Sequence, residues 1–544
     1  MSTTDTGTTT ITGGEAMARQ LAAEGVTHIF GIPGVQLDYA TNGLSKVRSE
    51  IRFIATRHEQ TATYAADGYY RSTGRVGVGL VVPGPGVLNA GAGLVTALAC
   101  SSKILLVSGQ IPTRGLGAGL GMVHEIPDQS GILATLCRDA TLVTDPGGVA
   151  GAIHGAMVKL GAGPGPIAVE LPPNVLSGAA PNATIGHESP GAPSPGSNAE
   201  LDTAAELLEA AQRPVIYCGG GAVVSDAWDA LSSLAERIGA PLTASTNGRG
   251  AFDDRHPLAV LPIAGKELLR RADCVLVVGS RGLDMRSGPL VAGPDGGAKL
   301  ISLNIEPAHF GAPRAFDATI VGDAGAGVAA LAAQLGARAP WVDDLDDVRA
   351  RAAERLAPLE PQLSYARALR AAMPDDAVLV NELTQVGYVS MVAFPVHAPR
   401  SYIYPGYQGT LGYGYPTAIG AAVGNPDRAV VSISGDGGFG YGMSEMATVA
   451  NYDIPLVGVV FYDGAYGNVQ RMHKAQFDGD HYGTELKNPD MVKLADAFGI
   501  AGYLAETPAE LESTLRRAIG ARRPALIGVP MGVTPDPWRI IAGR

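Results

Sequence analysis

The chain has 544 residues, 46% of them hydrophobic and 17% charged, with a formal net charge of −12. That length suits about three domains of ordinary size, and the acidic balance argues against nucleic acid as a partner. Residues 2–10 are small and polar with no basic or apolar run, and apolar stretches such as 418–423 are too short to cross a bilayer, so neither a signal peptide nor a membrane partner is expected and the protein reads as cytoplasmic.

A first domain, residues 1–185, is predicted to open with a helix from Gly14 to Glu24 and a strand near 27–32 that ends at Pro33-Gly34. A second short strand, 51–56, leads through Arg57 and His58 into a small-residue helix at 61–71. Glu59 therefore sits where a strand meets a helix N-terminus, a place that favours a carboxylate and where Glu is ordinarily a capping group. Pro83-Gly84-Pro85-Gly86 marks a tight loop, Gln110 follows the strand 104–108, and residues 111–129 form a glycine-rich loop that carries His124 and Glu125. The Pro-, Gly- and Ser-rich passage 178–197 reads as a linker.

The second domain, 198–335, alternates helices such as 202–211 with strands such as 214–217 and 274–279. Gly219-Gly220-Gly221 follows a strand but lacks the full G-x-G-x-x-G pattern of a dinucleotide site. The cysteines, Cys100, Cys137, Cys218 and Cys274, each lie in or near an apolar segment and read as reduced core residues. A stretch rich in Asp, Arg, Ala and Glu, 341–361, reads as a helical connector.

The third domain, 362–544, opens with a strand at 377–380 and the polar segment Asn381 to Gln385, followed by GTLGYGYP at 409–416. Residues 430–434 read as a buried strand that stops at the turn Gly435-Asp436-Gly437, with a helix at 443–452 and a further strand at 455–462. Parallel strands of such a unit finish at one edge of the sheet, so Asp436 and Asp463 both reach the carboxyl edge, where open α/β sheets bind ligands. Two carboxylates meeting there repel unless a cation sits between them. Gly435, Gly437 and Gly438 let backbone amides come close to a phosphate, and the combination suggests magnesium or calcium bridging a diphosphate.

GDG followed at a distance by Tyr462-Asp463 resembles the thiamine-diphosphate binding motif, whose second position is an Asn-Asn pair. FGIPG at 30–34, RHEQTATYAADGYYRSTGRVGV at 57–78 and PGPGVLNA at 83–90 are similar to the pyrimidine-binding domain of the same enzymes, in particular the acetolactate synthases. The resemblance implies an α/β protein of three doubly wound parallel-sheet domains: pyrimidine-binding, central Rossmann-like and diphosphate-binding. It implies that Asp436, Asp463 and the carbonyl of Ala465 hold magnesium. By the same resemblance Glu59 hydrogen-bonds N1′ of the aminopyrimidine and favours the tautomer whose 4′-nitrogen takes the C2 proton, while Gln110 and His124 border the reacting atoms. Pro33, Gly84, Thr384, Gln385, Gly409 and Leu411 would line the cofactor, Leu411 standing where a Met enforces its bent conformation. Gly435, Gly437, Gly438, Tyr466 and Gly467 complete that lining.

Three departures from the family pattern carry information. The Asn pair has become Tyr462-Asp463, which adds a negative charge. The Gly-Met-Val-x-Gln-Trp-Gln run of acetolactate synthases is here Gly467 to His473, with Met472 in place of the Trp, so that Gln470, Arg471, Met472 and His473 would shape a different substrate pocket in which Arg471 suits a carboxylate. Asn304 stands where many FAD-binding relatives have Asp, which favours a structural middle domain over FAD. The activity implied is decarboxylation of a 2-oxo acid followed by acyl transfer to an aldehyde or ketone, in a homodimer or homotetramer with active sites at the subunit interface. A simple decarboxylase releasing aldehyde, a flavin-dependent oxidase and a non-catalytic paralogue are the alternatives.

Overall fold

The computed structural model describes residues 10–283 and 288–542. They form two compact units, the first of Met1–Gly191 with Pro416–Gly424 and Gly442–Ile454, the second of Ala192–Tyr415, Asn425–Tyr441 and Pro455–Arg544. Among these residues no helix is long and apolar enough to cross a membrane.

The first unit holds β1 (Thr10–Thr12), β2 (His28–Gly31), β3 (Arg52–Ala55), β4 (Gly77–Val81), β5 (Ile104–Gly109), β6 (Asp139–Leu142), β7 (Ile167–Leu171) and β8 (Ala179–Pro181). Six of these make a parallel sheet in the order β3-β2-β4-β5-β7-β6, while β1 and β8 pair antiparallel. Every residue of β4, β5 and β7 is buried, as strands covered by helices on both faces must be. The order reverses between β2 and β4, so Pro33-Gly34 and the loop 83–86, which follow those two strands, flank the switch point.

The second unit holds two sheets. β9 (Pro214–Cys218), β10 (Leu242–Ala244), β11 (Cys274–Val278), β12 (Lys299–Asn304) and β13 (Ala318–Val321) are ordered β10-β9-β11-β12-β13. β14 (Val378–Asn381), β15 (Tyr402–Ile403), β16 (Val430–Gly435), β17 (Leu456–Tyr462), β18 (Ala501–Leu504) and β19 (Ala525–Pro530) are ordered β15-β14-β16-β17-β19-β18. All pairings in both are parallel. The switch of the last sheet falls between β14 and β16, whose ends carry Thr384-Gln385 and Asp436. The fold is thus α/β with three doubly wound parallel sheets.

Two expectations need correction. Cys137, Cys218 and Cys274 are buried, and burial pushes the thiols of Cys137 and Cys274 up to about 12, but Cys100 ends a helix and is only half-buried. The passage expected as a linker does not leave the first domain at once. Its beginning forms β8, and residues beyond return to the helix Gly13–Ala23, where the Gln20 amide both donates to the Ile185 carbonyl (3.0 Å) and accepts its N–H (2.8 Å), and the Glu24 carboxylate meets His187 (2.9 Å). Polar side chains on that helix satisfy backbone groups that Pro and Gly content alone cannot locate.

Candidate active site

In the first unit Glu59 opens the helix Glu59–Thr73, two residues earlier than the expected start. His58 caps it, extended and accepting the Gln60 N–H on Nδ1 (3.2 Å). Glu59 is half-buried, and its Oε2 accepts a hydrogen bond from Asn89 Nδ2 at 3.0 Å, which leaves Oε1 turned toward Gly86. Asn89 is in the helix Pro85–Cys100, right after the glycine loop, and nothing in its spacing singles it out.

Gly84 has φ +58, and a Cβ there would collide with the His124 carbonyl. The loop 83–86 and the loop 111–129 thus lie backbone against backbone, an approach that only glycine permits. His124 itself has φ +66, which for a non-glycine residue stores of order 1 kcal/mol or more and persists only where the surroundings hold it. Gln36 does so, with Oε1 2.9 Å from His124 Nδ1 and Nε2 donating to the Val123 carbonyl (3.0 Å). Glu125 folds back on its own loop, accepting the N–H groups of Leu120 and Met122.

Gln110 is buried and bonded at both ends of its amide. Its Nε2 donates to Glu170 (2.9 Å) and its Oε1 accepts the Ile111 N–H (2.8 Å). Glu170 has no exposed surface and also receives Gln129 Nε2 (2.8 Å) and Ser130 Oγ (2.5 Å), while Gln129 Oε1 accepts the Gly84 N–H (2.8 Å). The Gln110 amide is thus part of a network that reaches the glycine loop through Glu170 and Gln129. Pro33 is exposed beside that loop.

In the second unit β16 runs into the helix Asp436–Gly442 with no intervening turn. The structure then has a single 3-10 turn at Met443–Glu445 and a helix at Met446–Asn451, where one continuous helix was expected. The Asp436 side chain is well held at the start of the first of these helices. It accepts the N–H of Gly437 (3.0 Å) on one oxygen, and the N–H of Gly464 (2.9 Å) and Asn488 Nδ2 (2.6 Å) on the other. Gly437 and Gly438 are needed here because Cβ atoms would strike the Tyr466 ring and the Glu382 carboxylate.

Asp463 follows β17, its Oδ1 accepting the Ala465 N–H (3.2 Å). Desolvation and the charge of Asp436 push its carboxyl above the usual range, with Arg471 opposing. The loop is tied to the segment 484–486: Tyr466 N–H donates to the Thr484 carbonyl (2.8 Å), Leu486 N–H to the Gly464 carbonyl (2.7 Å), and Ala465 bridges Glu485. No group of three or more His, Cys, Asp or Glu side chains suited to a metal occurs among the described residues. A pair of mutually repelling carboxylates beside a backbone turn nevertheless fits magnesium, which takes one or two carboxylates and draws its other oxygens from phosphate and water.

Thr384 stands at the N-cap position of the helix Gln385–Ala393 without a side-chain capping bond, and Gln385 Oε1 accepts a hydrogen bond from Arg471 Nη2 (3.1 Å). The same Nη2 reaches the carbonyl and Oγ1 of Thr534 (3.2 Å each), while Arg471 Nη1 is buried without a hydrogen-bond partner. The four residues expected to share a pocket do not face one way, as successive positions of the helix Gly467–Gln476 cannot. Gln470 turns to Thr484 (3.3 Å), Arg471 toward Gln385 near Asp463 and Gly467, His473 against Phe477, and Met472 is 54% exposed.

Glu382 organises the loop that carries Leu411. Fully buried, it accepts the N–H groups of Gly412 (2.6 Å) and Gly414 (2.9 Å) and Ser434 Oγ (2.8 Å), and burial pushes its carboxyl up. Gly409 and Gly412, at φ +55 and +80, flank Leu411, which is half-buried and not a plain core leucine. Glu382→Ala leaves the donors of Gly412, Tyr413, Gly414 and Ser434 unpaired, so it is expected to cost roughly 3–5 kcal/mol, read as a lowered thermal midpoint. An unchanged midpoint would mean that the loop is fixed by other contacts.

At the central switch point the glycines close loop on loop. Gly219 N–H donates to the Val278 carbonyl and Gly221 N–H to that of Gly279 (2.8 Å each), and Asn304 is committed to Ser280 and Glu306.

Three parallel sheets, with a helix-opening glutamate after an edge strand of one and a carboxylate pair at the carboxyl edge of another, make up an α/β scaffold suited to holding a cofactor. Residues 11–132, 201–331 and 385–529 match the N-terminal TPP binding, central and C-terminal TPP binding domains of thiamine pyrophosphate enzymes, thiamine pyrophosphate being the same compound as thiamine diphosphate. The chain is 36% identical to a probable 2-ketoarginine decarboxylase of Pseudomonas aeruginosa, covering 95% of this chain and 94% of the relative. It is 31% identical to a probable acetolactate synthase large subunit of Methanocaldococcus jannaschii (95% and 91%) and 30% to the acetolactate synthase isozyme 3 large subunit of Escherichia coli (94% and 92%). The chain belongs to the thiamine pyrophosphate enzyme family and is acetolactate synthase-like.

Proposed function

We propose that this enzyme decarboxylates a 2-oxo acid with a side chain larger than methyl and releases the aldehyde. Met472 carries the reading: it stands where acetolactate synthases place the Trp that shapes the carboligation pocket, and it lies more than half exposed on a helix with no buried residue. The activity in the name of the Pseudomonas relative makes 2-ketoarginine the first substrate to try. Bound thiamine diphosphate supplies the electron sink that lets a 2-oxo acid lose carbon dioxide. Glu59 holds the proton at N1′ through Oε1 while Asn89 fixes its other oxygen. Asp436, Asp463 and the Ala465 carbonyl hold magnesium, and Thr384, Gln385, Gly409, Gly435 and Gly467 line the diphosphate. Gly437 and Gly438 make room for Tyr466 and Glu382 beside it. Gln110 supports the loop at Gly84 through Glu170 and Gln129, and His124 faces substrate from its strained position. Arg471 offers Nη1 to a carboxylate. FAD has no role in this reading, and a homodimer or homotetramer with active sites at the subunit interface follows the family.

Carboligation is the second reading, favoured by the acetolactate synthases among the relatives. The two separate on product analysis by mass spectrometry with thiamine diphosphate, magnesium and a panel of pyruvate, 2-oxobutyrate, benzoylformate and 2-ketoarginine, with and without acetaldehyde. Aldehyde and carbon dioxide from 2-ketoarginine are the expected result. Acetolactate from pyruvate would replace the decarboxylase reading with the synthase one.

A further inference from the structure

Between the strand ends that carry Asp436 and Asp463, the chain passes through Gly442–Ile454, a segment of the first unit. Glu445, Thr448 and Tyr452 stand on it at spacings of three and four, which places them along one helical face. All three meet the backbone of one short stretch, residues 55–58. The Tyr452 hydroxyl accepts the Ala55 N–H (2.9 Å), and Thr448 Oγ1 lies 3.4 Å from the Ala55 carbonyl while donating to Glu445 Oε2 (2.6 Å). Glu445 Oε1 accepts the N–H groups of both Arg57 and His58 at 3.0 Å.

Glu445 has no exposed surface, and burial pushes its carboxyl up. Burying a carboxyl group is costly unless its hydrogen bonds answer a need. The need is visible in the sequence of elements: β3 ends at Ala55 and the helix begins at Glu59, so the N–H groups of Arg57 and His58 lie outside both and require partners. The direction in which the Glu59 side chain leaves the backbone depends on the torsions of those same two residues.

We propose that Glu445 is a positioning residue for Glu59, holding the strand-to-helix turn at Arg57-His58 so that the Glu59 carboxyl group points at the ring nitrogen with which it shares a proton. The proposal rests on the reading of Glu59 given above. Asn89 fixes the tip of Glu59, and Glu445 fixes its root. One β-α-β connection then supplies both the two carboxylates expected to hold the metal and the template for the turn that bears the glutamate.

The test uses the full chain with thiamine diphosphate and magnesium. Glu445→Ala is expected to lower kcat by about 10²-fold, the usual result of misplacing a reacting group by about 1 Å, and to speed amide hydrogen exchange at Arg57 and His58. Glu445→Gln keeps an oxygen that can accept both amides and is expected to stay within about tenfold of the parent. The decisive readout is a double-mutant cycle: in a Glu59→Gln background, Glu445→Ala should add no further loss, since it acts only through Glu59. Losses that multiply would overturn the proposal, as would unchanged exchange at Arg57 and His58. If Glu445→Ala does not fold, Thr448→Ala, which removes the hydroxyl on Oε2, takes its place in the same cycle: no added loss supports the proposal and multiplied losses overturn it. Should Glu59→Gln alone retain full turnover, the reading of Glu59 fails, and with it the functional part of the proposal, while the exchange data still report the clamp.

Discussion

Glu59→Gln is expected to lower turnover by about 10²–10⁴-fold, the range for losing a positioned acid-base group, while thiamine diphosphate affinity changes little. The asymmetry follows from what the side chain touches. Its Oε2 is held by Asn89, and on the proposed role Oε1 meets the cofactor ring, so a Gln of the same shape keeps the packing but cannot hold a transferable proton there. Only one orientation of the amide suits Asn89, with its oxygen accepting from Nδ2 and its N–H turned to the ring, where it can donate a hydrogen bond but not give up the proton; the reverse pairs donor with donor. Measuring kcat together with cofactor titration separates the two effects. Undiminished turnover would remove Glu59 from the chemistry, and a parallel loss of affinity would make it a binding group instead.

The candidate residues whose place in the fold the sequence makes legible are those whose placement is enforced by connectivity. Glu59, Asp436 and Asp463 follow β-strands whose apolar runs are plain, and right-handed parallel crossovers bring such residues to the carboxyl edge of a sheet whatever else the chain does. The residues that hold them are invisible for the opposite reason. Asn89 is 30 positions from Glu59, Asn488 is 52 from Asp436, and Glu445 is 388 from Arg57, and no local periodicity links such pairs. Asp436 illustrates how local reading misleads. Gly-Asp-Gly has the composition of a turn, yet a carboxylate that finds Gly464 and Asn488 across space can open a helix directly, with the glycines serving the close approach of Tyr466 and Glu382. Gln110 shows the same limit from the other side, since its position after β5 is legible while its commitment to Glu170 is not.

Asp436→Ala is expected to weaken magnesium binding by at least about 10²-fold and to carry thiamine diphosphate binding down with it, measured by calorimetry with the metal alone and then with cofactor. The lower bound is set by outer-shell groups, whose removal alone costs about 10–100-fold. Asp436 is also the residue on which the surrounding backbone is built: without it the N–H of Gly464 and the Asn488 amide lose their acceptor, and the loop that presents Asp463 and Ala465 is released at its root. Asp463→Asn provides the contrast. It keeps an oxygen at the same place and removes the charge that Asp436 repels, and both consequences weaken the hold on a dication: the metal-free site is relieved of like-charge repulsion and the filled one loses attraction. Because the amide oxygen still coordinates, as the Asn of the family motif does, the loss should be smaller than for Asp436→Ala, about tenfold. If Asp436→Ala instead bound metal and cofactor as tightly as the parent, the carboxylate pair would not be the metal site, and the acidic replacement at position 463 would need another cause.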